Sequence, residues 1–484
     1  MINKKDLESL IEPHLYLKLK CEEYTTAEKK PIELLRYDRF DLAFKLFYLD
    51  LKNKNRSLAE KVYEDHIAAF SLGRFVEPGS DKEGAETFIT EFERIYTDFC
   101  ENGFDKNRTL IPLSENGSIA NGAHRVACAL HVGSPVRCVD IAADSHVYDY
   151  DFFYKRNVPI DILDMAANKF VEYSDNVYMA FLWPIGIRKN REVENILGDI
   201  VYKKTIKLNA NGARNLLSHV YRGQEWIGDP KNNFCGIDSK LVECFRCFDK
   251  FNVILFQADD LEDVLRKKDA IRELFGMGKH SIHMTDTKEE SVRMARLVLN
   301  GNGEHFLNHA RPNKYISTDE KMKSFKEFLD GNKLDRRDVV LDAGIVLSCY
   351  GLREATDVDF FCHDKCELNI GSEAFDIHDE CLKYYDVSKE ELLYDPRCYF
   401  YFSGLKFVSL DLVYRMKRRR SEKKDINDCS MIESLVEDDR FKMIVGKCRQ
   451  SIYYGVVKVR QKAILTLARV GLYEVVKKMV RGRR

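Results

Sequence analysis

The segment GIVLSCYGLREATDVDFF, residues 344–361, constrains the fold more than any other stretch of the chain. Val358, Phe360 and Phe361 surround Asp357 and Asp359, so the strand they predict is buried on its apolar side. Period-two geometry then puts both carboxylates on one face. Neighbouring carboxylates repel, and a divalent cation between them removes that cost. Magnesium held this way, with substrate phosphates completing its octahedron, is how phosphoryl and nucleotidyl transfer neutralise developing charge. The plainer alternative is an exposed strand whose aspartates are solvated.

A chain of 484 residues is too long for one ordinary core, and two to four domains are expected. Apolar residues make up 45% while glycine and proline number only 26 and 10, so several packed cores are possible. The 77 basic and 78 acidic residues balance, which argues against a surface devoted to nucleic acid, and no nucleic-acid partner is expected. The start, MINKKDLESLIEPHLYLKLK, lacks the apolar core of a signal peptide, and no run approaches the ~18 apolar residues of a membrane span. A cytoplasmic protein with free thiols is the expectation. Cys244 and Cys247 form one CxxC pair, with Cys362 and Cys366 the nearest second pair. Without regular spacing they read as thiols on an amphipathic segment rather than a zinc or redox site.

Along the chain, helical periodicity dominates the first hundred residues, and strand–turn–helix–strand order follows to about residue 145. Residues 146–200 read as a helical connector. Alternating strands and helices then predict a small α/β unit over 201–312 and a third α/β region over 313–440. YFYFSGLKFVSL predicts a hairpin turning at Ser403-Gly404.

The segment around Asp357 and Asp359 resembles the nucleotidyltransferase superfamily, where a small-residue helix start precedes a strand carrying two aspartates. The likeness covers about residues 315–430 and extends into GLKFVSLDLVYRMKRRRSEKKDINDC, which is similar to the end of related domains in toxin–antitoxin and surface-polysaccharide proteins. It implies Mg²⁺ on Asp357 and Asp359, a nucleoside triphosphate near Gly344, and a third carboxylate, with Asp376 the first choice and Asp411 the second. The family usually has Gly-Ser or Gly-Gly at the helix start; here Ile345 follows Gly344.

SENGSIANGAHRVACAL, residues 114–130, places Asn121-Gly122 in a turn and Ala123-His124-Arg125 in the first turn of a helix. Free N–H groups there, with His and Arg, make a ready phosphate site. The pattern resembles the DGxHR turn of the ParB/sulfiredoxin superfamily over about residues 60–142, with Asn121 in place of the usual Asp. The likeness implies that Asn121, Gly122, His124 and Arg125 grip ATP phosphates and that Glu77 acts as general base, as in that family's serine kinases. Ala123 stands where its reductases need cysteine. The alternative is an ordinary capped helix whose His and Arg bond locally.

KHSIHMTDTKEESVRMARLVL, residues 279–299, resembles the segment around the catalytic histidine of nucleoside diphosphate kinases, which puts His283 at the phospho-accepting position and Asp286 after it. A ferredoxin-like unit with two incidental histidines, His280 and His283, is the competing and preferred reading. Residues 441–484 hold 12 Lys or Arg against one acid, Glu474, in an amphipathic helical pattern. Such a tail suits either an anionic membrane surface, and so a peripheral place on the inner face, or the acidic body of the chain.

Together these readings predict an α/β (α+β) multidomain fold. A ParB/sulfiredoxin-like domain spans 1–145 and a connector 146–200. A ferredoxin-like unit spans 201–312, a nucleotidyltransferase-like domain 313–440, and a basic amphipathic tail 441–484. The function expected is ATP-dependent phosphotransfer or nucleotidyl transfer to a sugar, polyol or other small hydroxylated metabolite, in surface-polysaccharide synthesis. The alternatives are a degenerate nucleotide-binding interaction protein at the membrane face and a toxin-like transferase modifying a macromolecule. Oligomeric state is left open.

Overall fold

The structure, a computed structural model, describes residues 1–76, 83–248, 250–363 and 374–436, with isolated positions between 459 and 472. The described chain is mixed α/β and carries three small sheets. The first holds β1 (Ile2–Asn3), β2 (Glu23–Lys29), β3 (Ile111–Ser114) and β4 (Val136–Ala143) in the order β1-β2-β4-β3. Helix Asp41–Leu51 is apolar on nearly every face and is buried almost throughout. It packs against helices Arg56–Ser71, Ala123–Val132 and Ile160–Tyr173. Asn55 caps helix Arg56–Ser71, its side chain accepting from the Leu58 amide at 3.1 Å.

The second sheet holds β5 (Val177–Leu182), β6 (Ile200–Lys207), β7 (Lys250–Gln257) and β8 (Ile282–Met284) in the order β6-β7-β5-β8, every pair antiparallel. The apolar run FNVILFQ of β7 is buried on both faces, as a central strand requires. One expectation is corrected here. The span 146–200 is not a helical connector: it supplies β5, a central strand of this sheet, because VYMAFL is an apolar run that pairs on both edges.

The third sheet holds β9 (Val339–Asp342), β10 (Val358–Cys362), β11 (Phe375–Ile377), β12 (Tyr399–Phe402) and β13 (Leu405–Val408) in the order β11-β10-β9-β13-β12. β12 and β13 form the expected hairpin, with Ser403 at φ +53° and Gly404 at φ +78°, the two left-handed positions of a two-residue turn. The expected helix before this sheet runs Ile316–Gly331.

One continuous apolar cluster threads all three regions, from Leu34 to Ile432. Phe40 stacks on Tyr202 at 6.2 Å between centroids, and Phe306 stacks on Phe400 at 4.5 Å. The sheets are therefore not beads on a string; they share buried surface. The basic tail beyond residue 440 lies outside the described residues apart from isolated positions.

Candidate functional site

The C-terminal sheet lines up carboxylates. β9 runs antiparallel to β10 with Asp342 opposite Asp359, and β11 runs parallel to β10 with Asp376 opposite Asp359. Asp342, Asp359 and Asp376 thus form a row across three adjacent strands, on one sheet face. Asp357, expected in the strand, instead lies in the bend just before β10, so the period of the strand does not set its face. Exposure rises along the row: Asp342 is fully buried, Asp359 and Asp357 are half-buried, and Asp376 is exposed.

Each member has a different environment. Asp342 accepts from Tyr385 Oη at 2.5 Å and pairs with His378 Nδ1 at 2.7 Å, so both its oxygens are occupied. Burial opposes the His378 imidazolium, but the Asp342 hydrogen bond and the Asp342 and Asp359 charges raise its pKa above the usual histidine value. Asp359 has no such relief. Burial, then repulsion from Asp357, Asp342 and Asp376, push its carboxyl up to about 6, against the pull of His378. Arg353 forks onto Asp428 at 2.7 and 3.0 Å, which raises its pKa against burial, and the Asp357 and Asp359 charges add to the shift.

The loop entering this site is strained. Ala343 adopts φ +50°, ψ −113°, a conformation that alanine avoids. Gly344, expected at the nucleotide phosphates, is buried, and the Arg353 guanidinium lies 3.8 Å from where a Cβ would stand. The helix it opens is only six residues long. Among the described residues no three His, Cys, Asp or Glu side chains are gathered as a metal cage. The row is aligned but open, and its donors are the hard oxygens that Mg²⁺ takes. Asp411 stands apart at the start of helix Leu410–Arg420, bonded to Arg415 at 3.0 Å.

The N-terminal turn builds a different kind of site. Gly122 has φ +92°, as the turn requires, and the Asn121 side chain accepts from the Gly122 amide. A cavity of about 440 Å³ is lined by Asn121, Gly122 and His124. His124 Nε2 is 2.7 Å from Tyr63 Oη, and its ring packs on Phe92 at 4.7 Å. Arg125 departs from expectation: it does not line the cavity but is bound to Glu12 at 2.6 Å, to Thr109 and to the Leu110 carbonyl. Its guanidinium is held by a carboxylate that the fold brings to it. Glu77 lies outside the described residues.

Sequence reasoning missed the charges behind this turn. Arg39 forks onto Asp41 at 2.8 and 2.9 Å, Lys45 reaches Asp41 at 2.9 Å, and Lys45 Nζ lies 3.1 Å from His66 Nε2. All four residues are buried on the cavity wall. Burial opposes the Asp41 charge, but Arg39 and Lys45 hold it far below the carboxylate range. Burial, then Lys45, hold His66 well below its usual value. The RxD spacing at 39–41 was the available signal, yet nothing local marks His66 as their neighbour.

No protein-family model, curated protein or solved structure matches this chain. Geometry and chemistry alone therefore bear on the remaining candidates. His283 lies on β8, its Nε2 3.5 Å from Glu290 Oε1, on the wall of a groove of about 960 Å³. Burial lowers its pKa. Asp286 is drawn to Lys268 at 3.2 Å, and His280 to Glu243 at 3.0 Å. Cys244 is buried and Cys247 exposed, both free, while Cys366 lies outside the described residues. No helix among the described residues is long and apolar enough to cross a membrane.

Proposed function

We propose that the C-terminal sheet is a Mg²⁺-dependent nucleotidyl- or phosphoryl-transfer site acting on a small hydroxylated metabolite such as a sugar or polyol. The observation that carries this reading is the register that sets Asp342, Asp359 and Asp376 side by side, with Asp357 two residues away. Neighbouring acids repel, and the Asp359 carboxyl is raised by burial and by its acidic neighbours.

Asp357, Asp359 and Asp376 would hold the metal, which supplies charge neutralisation at the transferred phosphorus. Asp342 plays another part: bound to His378 and Tyr385, it fixes the β9 end of the row and holds the His378 imidazole near Asp359. Arg353, tied to Asp428 beside the row, is placed to meet a phosphate oxygen. We read the N-terminal cavity as the binding place for a second anionic group, with Asn121, Gly122 and His124 on its wall, and the middle sheet order as ferredoxin-like. Surface-polysaccharide synthesis is the context this reading fits.

Phosphorus NMR of ATP, CTP or GTP with Mg²⁺ and a panel of sugars and polyols tests it. Asp357→Asn combined with Asp359→Asn is expected to cut turnover about 10³-fold or more, or ~4 kcal/mol of barrier, with the melting curve intact. Full turnover in that variant removes the acidic row from the reaction.

The open geometry favours a second reading, a nucleotide-binding interaction protein whose chemistry is lost, since no closed metal cage stands among the described residues. Nucleotide–Mg²⁺ that raises the melting temperature without any change in the phosphorus spectrum would support it.

A further inference from the structure

A cavity of about 370 Å³ opens where the three regions meet. Its walls come from helices Asp41–Leu51, Ile160–Tyr173 and Lys288–Val298 and from β12 and β13. Most of its charges are settled. Lys169 bonds Asp50 at 2.6 Å and Glu172 at 2.7 Å, Arg296 bonds Glu172 at 2.8 Å, and Lys54 bonds Asp338 at 2.7 Å.

Lys406 of β13 is not settled in this way. It is 2% exposed, and its Nζ donates to the carbonyls of Arg337 and Leu393. No carboxylate among the described residues comes within ion-pairing distance. The rings of Tyr399 and Tyr394 lie 4.9 and 5.3 Å away, and Lys54 Nζ faces that same Tyr394 ring at 5.3 Å. Burial lowers the Lys406 ammonium to about 7; Asp338 opposes the shift, and Lys54 and Arg296 deepen it. A buried ammonium without a counter-charge is destabilising, and a phosphate beside it would supply that charge. The tyrosine faces suit a sugar or other ring, and the volume falls in the range of small-molecule clefts, about 300–1,000 Å³.

We propose that this junction cavity binds a small phosphorylated metabolite, its phosphate at Lys406 and Lys54 and its body against Tyr394, Tyr399 and Tyr401. The site is separate from the acidic row. Asp338, the Lys54 partner, immediately precedes β9 and Asp342 ends it, roughly 13 Å apart along an extended strand. The proposal does not rest on transfer chemistry at that row. Because all three regions wall the cavity, an occupant ties them together and should raise the melting temperature of the whole chain.

The test is thermal melting and calorimetry of the full chain with glucose 6-phosphate, with inorganic phosphate, and with glucose, at matched ionic strength and without Mg²⁺. Glucose 6-phosphate is expected to raise the melting temperature and glucose to leave it unchanged. Lys406→Met should melt no lower than the parent without ligand and bind glucose 6-phosphate about tenfold or more weakly. Lys54→Ala, at the partly exposed edge, should weaken binding in the same direction, whereas Asp357→Asn with Asp359→Asn should not. Absence of any response to glucose 6-phosphate at millimolar levels, or a response to inorganic phosphate alone, overturns the proposal. So does undiminished binding in Lys406→Met. Should that variant fail to fold, unchanged affinity in Lys54→Ala overturns it as well.

Discussion

The N-terminal cavity and the C-terminal row both gather charged side chains, and they do so in opposite ways. Behind the NGAHR turn, Asp41 sits between Arg39 and Lys45 and bonds both cations. Across β9, β10 and β11, like charges stand side by side, and Asp342 is bonded to His378 and Tyr385. A buried cluster of unlike charges is self-sufficient once its geometry is good, whereas a row of like charges is complete only when something else joins it. The difference separates a cluster whose charges neutralise one another from a row whose charges add.

Removing one partner from each region should break the comparison if it is wrong. Asp41→Ala leaves Arg39 and Lys45 buried without their carboxylate and is expected to cost about 3–5 kcal/mol, read from urea unfolding. A loss under about 1 kcal/mol would mean that water already reaches the quartet. Asp359→Asn should do the reverse in metal-free buffer. It removes a carboxyl that burial and three neighbours disfavour, so stability should hold or rise by about 1 kcal/mol. A clear destabilisation would show that Asp359 is paired in solution.

Acid sharpens the contrast with the smallest effect. His66 has a folded pKa well below its unfolded value, so the unfolded chain takes up a proton that the folded chain refuses. Its contribution to stability is present above the ordinary imidazole range and is lost as pH falls through it. His219, held at about 3, and His305, at about 4, act in the same sense. Region-resolved hydrogen exchange at pH 7 and pH 5 should therefore show protection falling around helix Arg56–Ser71. Equal protection at both values would indicate that His66 titrates freely.

Parts of this structure were legible before any coordinates. The two-residue hairpin at Ser403-Gly404 follows from residues that tolerate positive φ between apolar runs. The turn at Asn121-Gly122 and the helix after it follow from equally local chemistry. Other parts were hidden for a physical reason. Nothing near Asp342 announces that its oxygens will meet His378 and Tyr385, since those bonds span 36 and 43 residues. Arg125 looked like a phosphate ligand because Glu12, its actual partner, lies 113 residues earlier. β5 was missed because a short apolar run reads equally well as buried helix or strand until pairing decides.

The sequence by itself determined which residues could carry charge into an apolar strand, where turns needed glycine, and that several cores were required. Those are local matters of sterics and hydrophobic period. Which charges became neighbours was settled by the fold: strand register brought Asp342, Asp359 and Asp376 abreast, helix packing brought His66 to Lys45, and the meeting of three regions set Lys406 against backbone carbonyls. Electrostatic partnership depends on distance through space, which the order of residues along a chain does not fix.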